Sequence, residues 1–77
     1  MDIEKVFGQT LRELRTKAGL SQEALALECN LDRTYISLLE RGLRQPTLKT
    51  LFKLSEPLQI LPSKFLATLE KLLSMTP

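Results

Sequence analysis

The residues that most constrain this chain are those that begin and end helices, because they recur at short intervals. Gly19, Asn30 and Gly42 are of the types found where helices end, and Ser21 and Asp32 are preferred N-cap residues. Between these positions the apolar residues follow helical spacing, and no segment alternates convincingly in the manner of a β-strand. The pattern predicts an all-α fold built from short helices.

Five helices are predicted, and they occupy a single domain at residues 1–77. They span, in order, about residues 2–18, 22–29, 33–41, 47–56 and 62–75. Pro57 is expected to break or kink the fourth helix near residues 55–56, and Pro62 suits the first turn of the fifth. Gly8 lies inside the first helix, where it is expected to cost about 1 kcal/mol relative to Ala. A domain of 77 residues buries only about 60% of its unfolded surface, so its stability depends on efficient packing or on a second subunit.

Composition excludes several kinds of chemistry. The chain has no histidine and one cysteine, Cys29, so it can form neither a Ser–His–Asp triad nor an intramolecular disulfide. Cys29 falls on an apolar helix position, where a buried free thiol is expected. No apolar run reaches the length of a membrane helix, and the first residues do not resemble a signal peptide. The sequence predicts a soluble cytoplasmic protein that is not an enzyme and needs no cofactor or metal.

Charge is distributed unevenly along the chain, whose net charge is +2. Residues 1–40 carry five basic and seven acidic side chains, whereas residues 41–55 carry four basic side chains and no acidic one. Residues 56–77 are balanced, with two of each. The basic segment 41–55 is either a solvated helix surface or a surface for an anionic partner, and its total charge alone does not decide between them.

The second and third helices, with the turn Asn30-Leu31-Asp32 between them, form a helix-turn-helix candidate at residues 21–42. Segment 12–46 resembles the DNA-binding domain of the phage-repressor (Cro/XRE) family of bacterial regulators. The matching pieces are Gly19-Leu20-Ser21-Gln22, Leu25-Ala26, Tyr35-Ile36-Ser37, Glu40-Arg41-Gly42 and Pro46-Thr47. This resemblance implies a compact five-helix, lambda-repressor-like domain that binds double-stranded DNA. Segment 31–37 is especially similar to controller proteins of restriction–modification systems, which act as dimers on their own promoters.

Four residues of the third helix are candidates for base contacts in the major groove: Arg33, Thr34, Ser37 and Leu38. Arg33 and Thr34 lie at the end of the helix that enters the groove, and arginine can donate two hydrogen bonds to guanine. Ser37 could bond a base edge, and Leu38 could touch a thymine methyl. The alternatives are that Arg33 is a solvated or phosphate-binding cation and that Leu38 is merely an exposed leucine.

Six further residues are candidates for phosphate contacts: Gln22, Tyr35, Arg41, Arg44, Thr47 and Lys49. Gln22 begins the second helix, whose positive end favours an anion, and it could also brace Arg33. The role of Tyr35 is implied by the resemblance, and so is that of the last four, since the family's loop follows the DNA backbone there. Gln22 could instead be a surface residue, and Tyr35 a half-buried core aromatic. The resemblance also implies a partly buried ion pair between Arg15 and Glu40.

A homodimer is expected, because one reading helix contacts too few base pairs to find its site in a genome. Two subunits would bind a palindromic operator with half-sites roughly 34 Å apart. The fifth helix supplies the candidate interface, although its apolar residues could instead close the core: Phe65, Leu66, Leu69, Leu72 and Leu73.

The sequence therefore predicts a sequence-specific, DNA-binding transcriptional regulator, with a restriction–modification controller as the narrower hypothesis. No small-molecule ligand is evident. An antitoxin that binds its own promoter is the alternative, and a protein-interaction domain on the same fold is a third class.

Overall fold

The computed structural model describes residues 2–75 and contains five α-helices and no strand within that range. The helices are α1 (Ile3–Lys17), α2 (Gln22–Cys29), α3 (Arg33–Glu40), α4 (Leu48–Ser55) and α5 (Pro62–Met75). The predicted all-α fold is confirmed. Met1, Thr76 and Pro77, the ends of the predicted domain, lie outside the described residues. None of the described helices is both long and apolar enough to cross a membrane.

Each of the first four helices is preceded by a polar N-cap residue whose side-chain oxygen accepts from a backbone amide of the first turn: Asp2, Ser21, Asp32 and Thr47. The N–O distances lie between 3.0 and 3.2 Å. Each bond satisfies an amide that has no partner within its own helix. The bond from the Lys5 amide is the main reason why the pKa of the Asp2 carboxyl is lowered.

The turn between α2 and α3 depends on Asn30. Its backbone is left-handed, with φ 55° and ψ 45°, and its N–H donates to the carbonyls of Ala26 and Leu27. The next amide, that of Leu31, donates to the Ala26 carbonyl at 2.8 Å. Asparagine adopts this conformation more readily than most residues. The turn reverses the chain, so that α3 packs back against α2.

All five helices contribute to one core. α1 packs against both α3 and α5, and α2 packs against α3 and α4. The rings of Phe7 and Phe65 stack with centroids 5.2 Å apart and planes 17° apart. The fully buried apolar side chains are Leu11, Leu25, Ile36, Leu39, Leu54 and Phe65.

The structure corrects part of the predicted dimer face on α5. Phe65 is 0% exposed and Leu69 is 7% exposed, so the alternative that they close the core applies to both. Leu66 is 45% exposed, and Leu72 and Leu73 are half-buried at the edge of the core.

The α4–α5 connection is tight because Pro57 ends α4 and Gln59 adopts a positive φ of 56°.

Gly8 has a packing role that its place inside a helix did not reveal. A Cβ atom at Gly8 would lie 2.4 Å from the carbonyl oxygens of both Leu39 and Glu40. The backbone of α1 therefore lies directly against the C-terminal end of α3. The absence of a side chain at residue 8 permits this approach.

Candidate nucleic-acid interface

The N-terminal end of α3 presents polar side chains outward. Arg33 and Thr34 are exposed and Ser37 is partly exposed, whereas Ile36 and Leu39 on the opposite face are buried. A shallow groove at the start of α2 and α3 is lined by Gln22, Arg33, Thr34 and Ser37. Three of the four candidate base-contacting residues thus share one surface with Gln22. Leu38, the fourth, is half-buried and does not line this groove.

An ion pair joins α1 to α3, and its arginine also bonds the turn between α1 and α2. The Nε atom of Arg15 lies 2.5 Å from Oε2 of Glu40, and its Nη2 atom donates to Oε1 of Glu40 at 3.1 Å. Arg15 also donates from Nη1 to the carbonyl of Leu20 at 2.8 Å. The structure therefore contains the Arg15–Glu40 pair that the family resemblance implied.

The side chain of Gln22 has a different hydrogen-bond partner from the one that the sequence indicated. Its Nε2 atom donates to Oε1 of Glu40 at 3.0 Å, whereas the sequence had indicated a brace on Arg33. A carboxylate accepts more strongly than a neutral group, and a guanidinium offers Gln22 only donors. Gln22 remains partly exposed at the start of α2, beside Arg33 in the groove.

The basic residues of segment 41–55 lie on the loop that follows α3 and on α4, and the loop is held at two points. Arg41, Arg44 and Lys49 are exposed. Gly42 has a φ of 74° and lies so close to Lys5 that a Cβ atom would be 2.9 Å from its Cα atom. The side chain of Gln45 donates to Oε2 of Glu4.

Lys5 is an addition to this basic surface that sequence reasoning missed. It is exposed and lies against Gly42, although the two residues are far apart along the chain. No local pattern signals this neighbour, since it follows only from the packing of the α3–α4 loop on α1.

Two candidate residues are also engaged in the fold itself. The Thr47 hydroxyl caps α4 by accepting from the Thr50 amide at 3.1 Å, and it also bonds the Thr50 hydroxyl. Tyr35 is half-buried and packs against the core. The phosphate contacts of Thr47 and Tyr35 therefore stay predictions.

Cys29 is buried, and its thiol donates to the carbonyl of Lys53 at 3.4 Å. Burial raises the pKa of the Cys29 thiol, so the protein carries no reactive thiolate there at neutral pH. Within residues 2–75, no three Cys, Asp or Glu side chains come together in an arrangement that could hold a metal ion.

Comparison with known proteins places this geometry in a family. The helix-turn-helix family model matches residues 11–65, which include the whole of α2, α3 and α4. The chain belongs to the Cro/XRE-type helix-turn-helix family. A relative within the family is the control protein C.BamHI of Bacillus amyloliquefaciens, which is 46% identical over 66 residues, 84% of this chain and 82% of the relative.

Solved structures of family members share the fold. The restriction–modification controller protein C.AhdI from Aeromonas hydrophila is 50% identical, with a TM-score of 0.77 over 83% of this chain and 96% of its own. The controller protein C.Esp1396I, solved as a tetramer in complex with its natural 35 base-pair operator, is 34% identical. It has a TM-score of 0.83 over 92% of this chain and 93% of its own.

Proposed function

We propose that this protein is a sequence-specific transcriptional regulator of the controller type, which binds a palindromic operator as a homodimer. The observation that carries the proposal is the polar surface of α3, on which Arg33 and Thr34 are exposed and Ser37 is partly exposed, in a family with an operator-bound member. The proposal places the protein in the cytoplasm, where its free thiol stays reduced, and assigns it no catalytic activity.

In this proposal α3 reads the major groove and the surrounding residues bind the backbone. The Arg33 guanidinium donates two hydrogen bonds to a guanine, which is worth about 1–3 kcal/mol of discrimination against another base. Thr34, Ser37 and Leu38 contact neighbouring base edges. The candidate phosphate contacts remain Gln22, Tyr35, Arg41, Arg44, Thr47 and Lys49. Three of them, Arg41, Arg44 and Lys49, are cations, so the affinity for DNA is expected to fall as the salt concentration rises.

An apolar surface supports the dimer. Ile3, Leu48 and Leu66 are exposed large apolar side chains that line one groove between α1, α4 and α5. We infer that α5 (62–75) forms the subunit interface through Leu66, Leu72 and Leu73, and that this groove is continuous with it.

Base reading is tested with DNA duplexes obtained by in vitro selection, by fluorescence anisotropy against scrambled duplexes. Arg33→Ala and Arg33→Lys are compared, because lysine keeps the charge but lacks the two-pronged donor geometry. Both variants are expected to lose about tenfold or more in affinity for the selected site. Lys71→Ala, an exposed lysine on α5, is the control and should bind as the wild type does. Equal affinity for selected and scrambled duplexes, or an affinity of Arg33→Lys for the selected duplex equal to that of the wild type, would refute the reading role of Arg33.

The dimer is tested by sedimentation equilibrium of the wild type and of Leu66→Asp. The substitution places a charge in the apolar surface and is expected to produce monomers. Leu27→Asp is the matched control, because Leu27 is an exposed leucine on α2, away from the groove. A wild type that stays monomeric at high micromolar concentration would refute the interface.

A further inference from the structure

We propose that Glu40 is a positioning residue for DNA binding, acting through Gln22. Its carboxylate, held from the other side by Arg15, orients the side-chain amide of Gln22 toward a DNA phosphate at the start of α2. This inference rests on the proposed function, since it assigns a role within the same DNA-binding surface.

Glu40 is fixed before any ligand arrives. Its side chain is only 4% exposed, and that of Arg15 is 12% exposed. Two donors of Arg15 hold both carboxylate oxygens, and a third binds the carbonyl of Leu20. Gln22 is therefore the outermost member of a network whose other members are anchored to α1, α3 and the α1–α2 turn.

The charge of Glu40 determines which end of the Gln22 amide faces inward. An ionised carboxylate is only an acceptor, so the NH₂ group of Gln22 must point at Glu40, as the 3.0 Å contact has it. One N–H of that group remains for a second partner. A neutral amide at residue 40 offers both a donor and an acceptor, so it would permit the Gln22 amide to turn over.

The position of Gln22 makes this orientation relevant to DNA. Ser21 caps α2 through the Ala24 amide, and the Leu25 amide donates to the Ser21 carbonyl, which leaves the amides of residues 22 and 23 at the open end of the helix. An anion is favoured at such an end, and the free N–H of Gln22 lies beside it. Arg15 balances the charge of Glu40, so a phosphate there meets a polarised amide rather than an uncompensated carboxylate.

A double-mutant cycle tests the coupling. Affinity for the selected duplex is measured for the wild type, Gln22→Ala, Glu40→Gln and the double variant. Gln22→Ala is expected to weaken binding about fivefold to tenfold, the loss of one hydrogen bond to a charged phosphate. Glu40→Gln is expected to weaken binding to a similar extent alone, but by less than twofold in the Gln22→Ala background. Equal weakening in both backgrounds, or no effect of Gln22→Ala, would overturn the proposal.

A second measurement separates positioning from a merely structural role. The side-chain amide signals of Gln22 are identified in a ¹H–¹⁵N spectrum of the free protein by their loss in Gln22→Ala. Glu40→Gln is expected to shift them while urea unfolding shows that the variant is folded at the assay temperature. Unshifted signals would overturn the proposal.

The Arg33 variants keep this test distinct from that of the proposed function. Sequence-selective binding that depends on Arg33, together with additive effects of residues 22 and 40, would refute only the role of Glu40. A wild type that binds all duplexes alike would refute the regulator itself.

Discussion

Replacing Gly8 with alanine is predicted to destabilise the protein, although alanine is the better helix former. A Cβ atom there would lie 2.4 Å from the carbonyl oxygens of Leu39 and Glu40 and 2.8 Å from the carbonyl carbon of Glu40. The shorter distance is about 1 Å inside the range of 3.4–4 Å in which ordinary van der Waals contacts fall. All three atoms belong to the backbone, so the clash can be relieved only by moving α1 away from the end of α3.

Two effects of opposite sign determine how much Gly8→Ala changes the free energy of unfolding. Helix propensity favours alanine over glycine by about 1 kcal/mol. Overpacking a close contact typically costs about 1–3 kcal/mol and sometimes more, and a rigid backbone obstacle places Gly8 at or above the top of that range. We expect the free energy of unfolding to fall by about 2 kcal/mol. For a domain of this size the Tm would then fall by roughly 8–16 °C.

The assay is urea unfolding followed by far-ultraviolet circular dichroism. All variants are compared at one protein concentration, because the stability of a dimer depends on concentration. Gln9→Ala is the matched control, since Gln9 is the next residue of α1 and is exposed, and its effect should be within about 0.5 kcal/mol. A Gly8→Ala variant as stable as the wild type would refute the close approach of α1 and α3.

Three other predictions concern the capping, the core and the thiol. Asp32→Ala should lower the free energy of unfolding by about 1 kcal/mol, whereas Asp32→Asn should lower it much less, because asparagine also caps helices. Equal losses of the two variants in urea unfolding would contradict the capping role. Phe7→Ala should cost about 3–5 kcal/mol because Phe7 stacks on buried Phe65, and a smaller loss in the same assay would argue against that stack. Because burial raises the pKa of the Cys29 thiol, the folded protein disfavours the thiolate. The free energy of unfolding is therefore unaffected below the pKa of the unfolded thiol, and it falls as the pH rises from there through the pKa of the folded thiol. At pH 8 a disulfide reagent should therefore label Cys29 slowly in the native protein and rapidly in denaturant, and rapid native labelling would contradict its burial.

The local features of the fold were predictable because they depend on neighbours in sequence. The cap at Ser21 and the left-handed backbone at Asn30 follow from the hydrogen-bonding capacity of these two side chains. α2 has the predicted bounds, 22–29. Pro57 was predicted to break or kink α4 near residues 55–56, and the helix ends at Ser55.

The features that were not predictable depend on contacts between distant segments. The place of Gly8 against Glu40, and that of Lys5 beside Gly42, arise only when α1 meets the end of α3 and the loop after it. For the same reason the sequence indicated Arg33 rather than Glu40 as the side chain to which Gln22 bonds, although Gln22 also lies beside Arg33. Phe65 and Leu66 are both apolar neighbours on α5, and only packing on Phe7 shows which of the two is buried.

The position of α1 has a consequence for the spacing of half-sites. It packs against α3, the proposed reading helix, and against α5, the proposed interface. In the proposed dimer, the distance between the two reading helices is thus fixed by the width of packed helices, with no flexible linker between them. One extra base pair between half-sites would displace the second by about 3.4 Å and rotate it by about 34°. A dimer built in this way tolerates sequence changes between the half-sites far better than it tolerates a change in their separation.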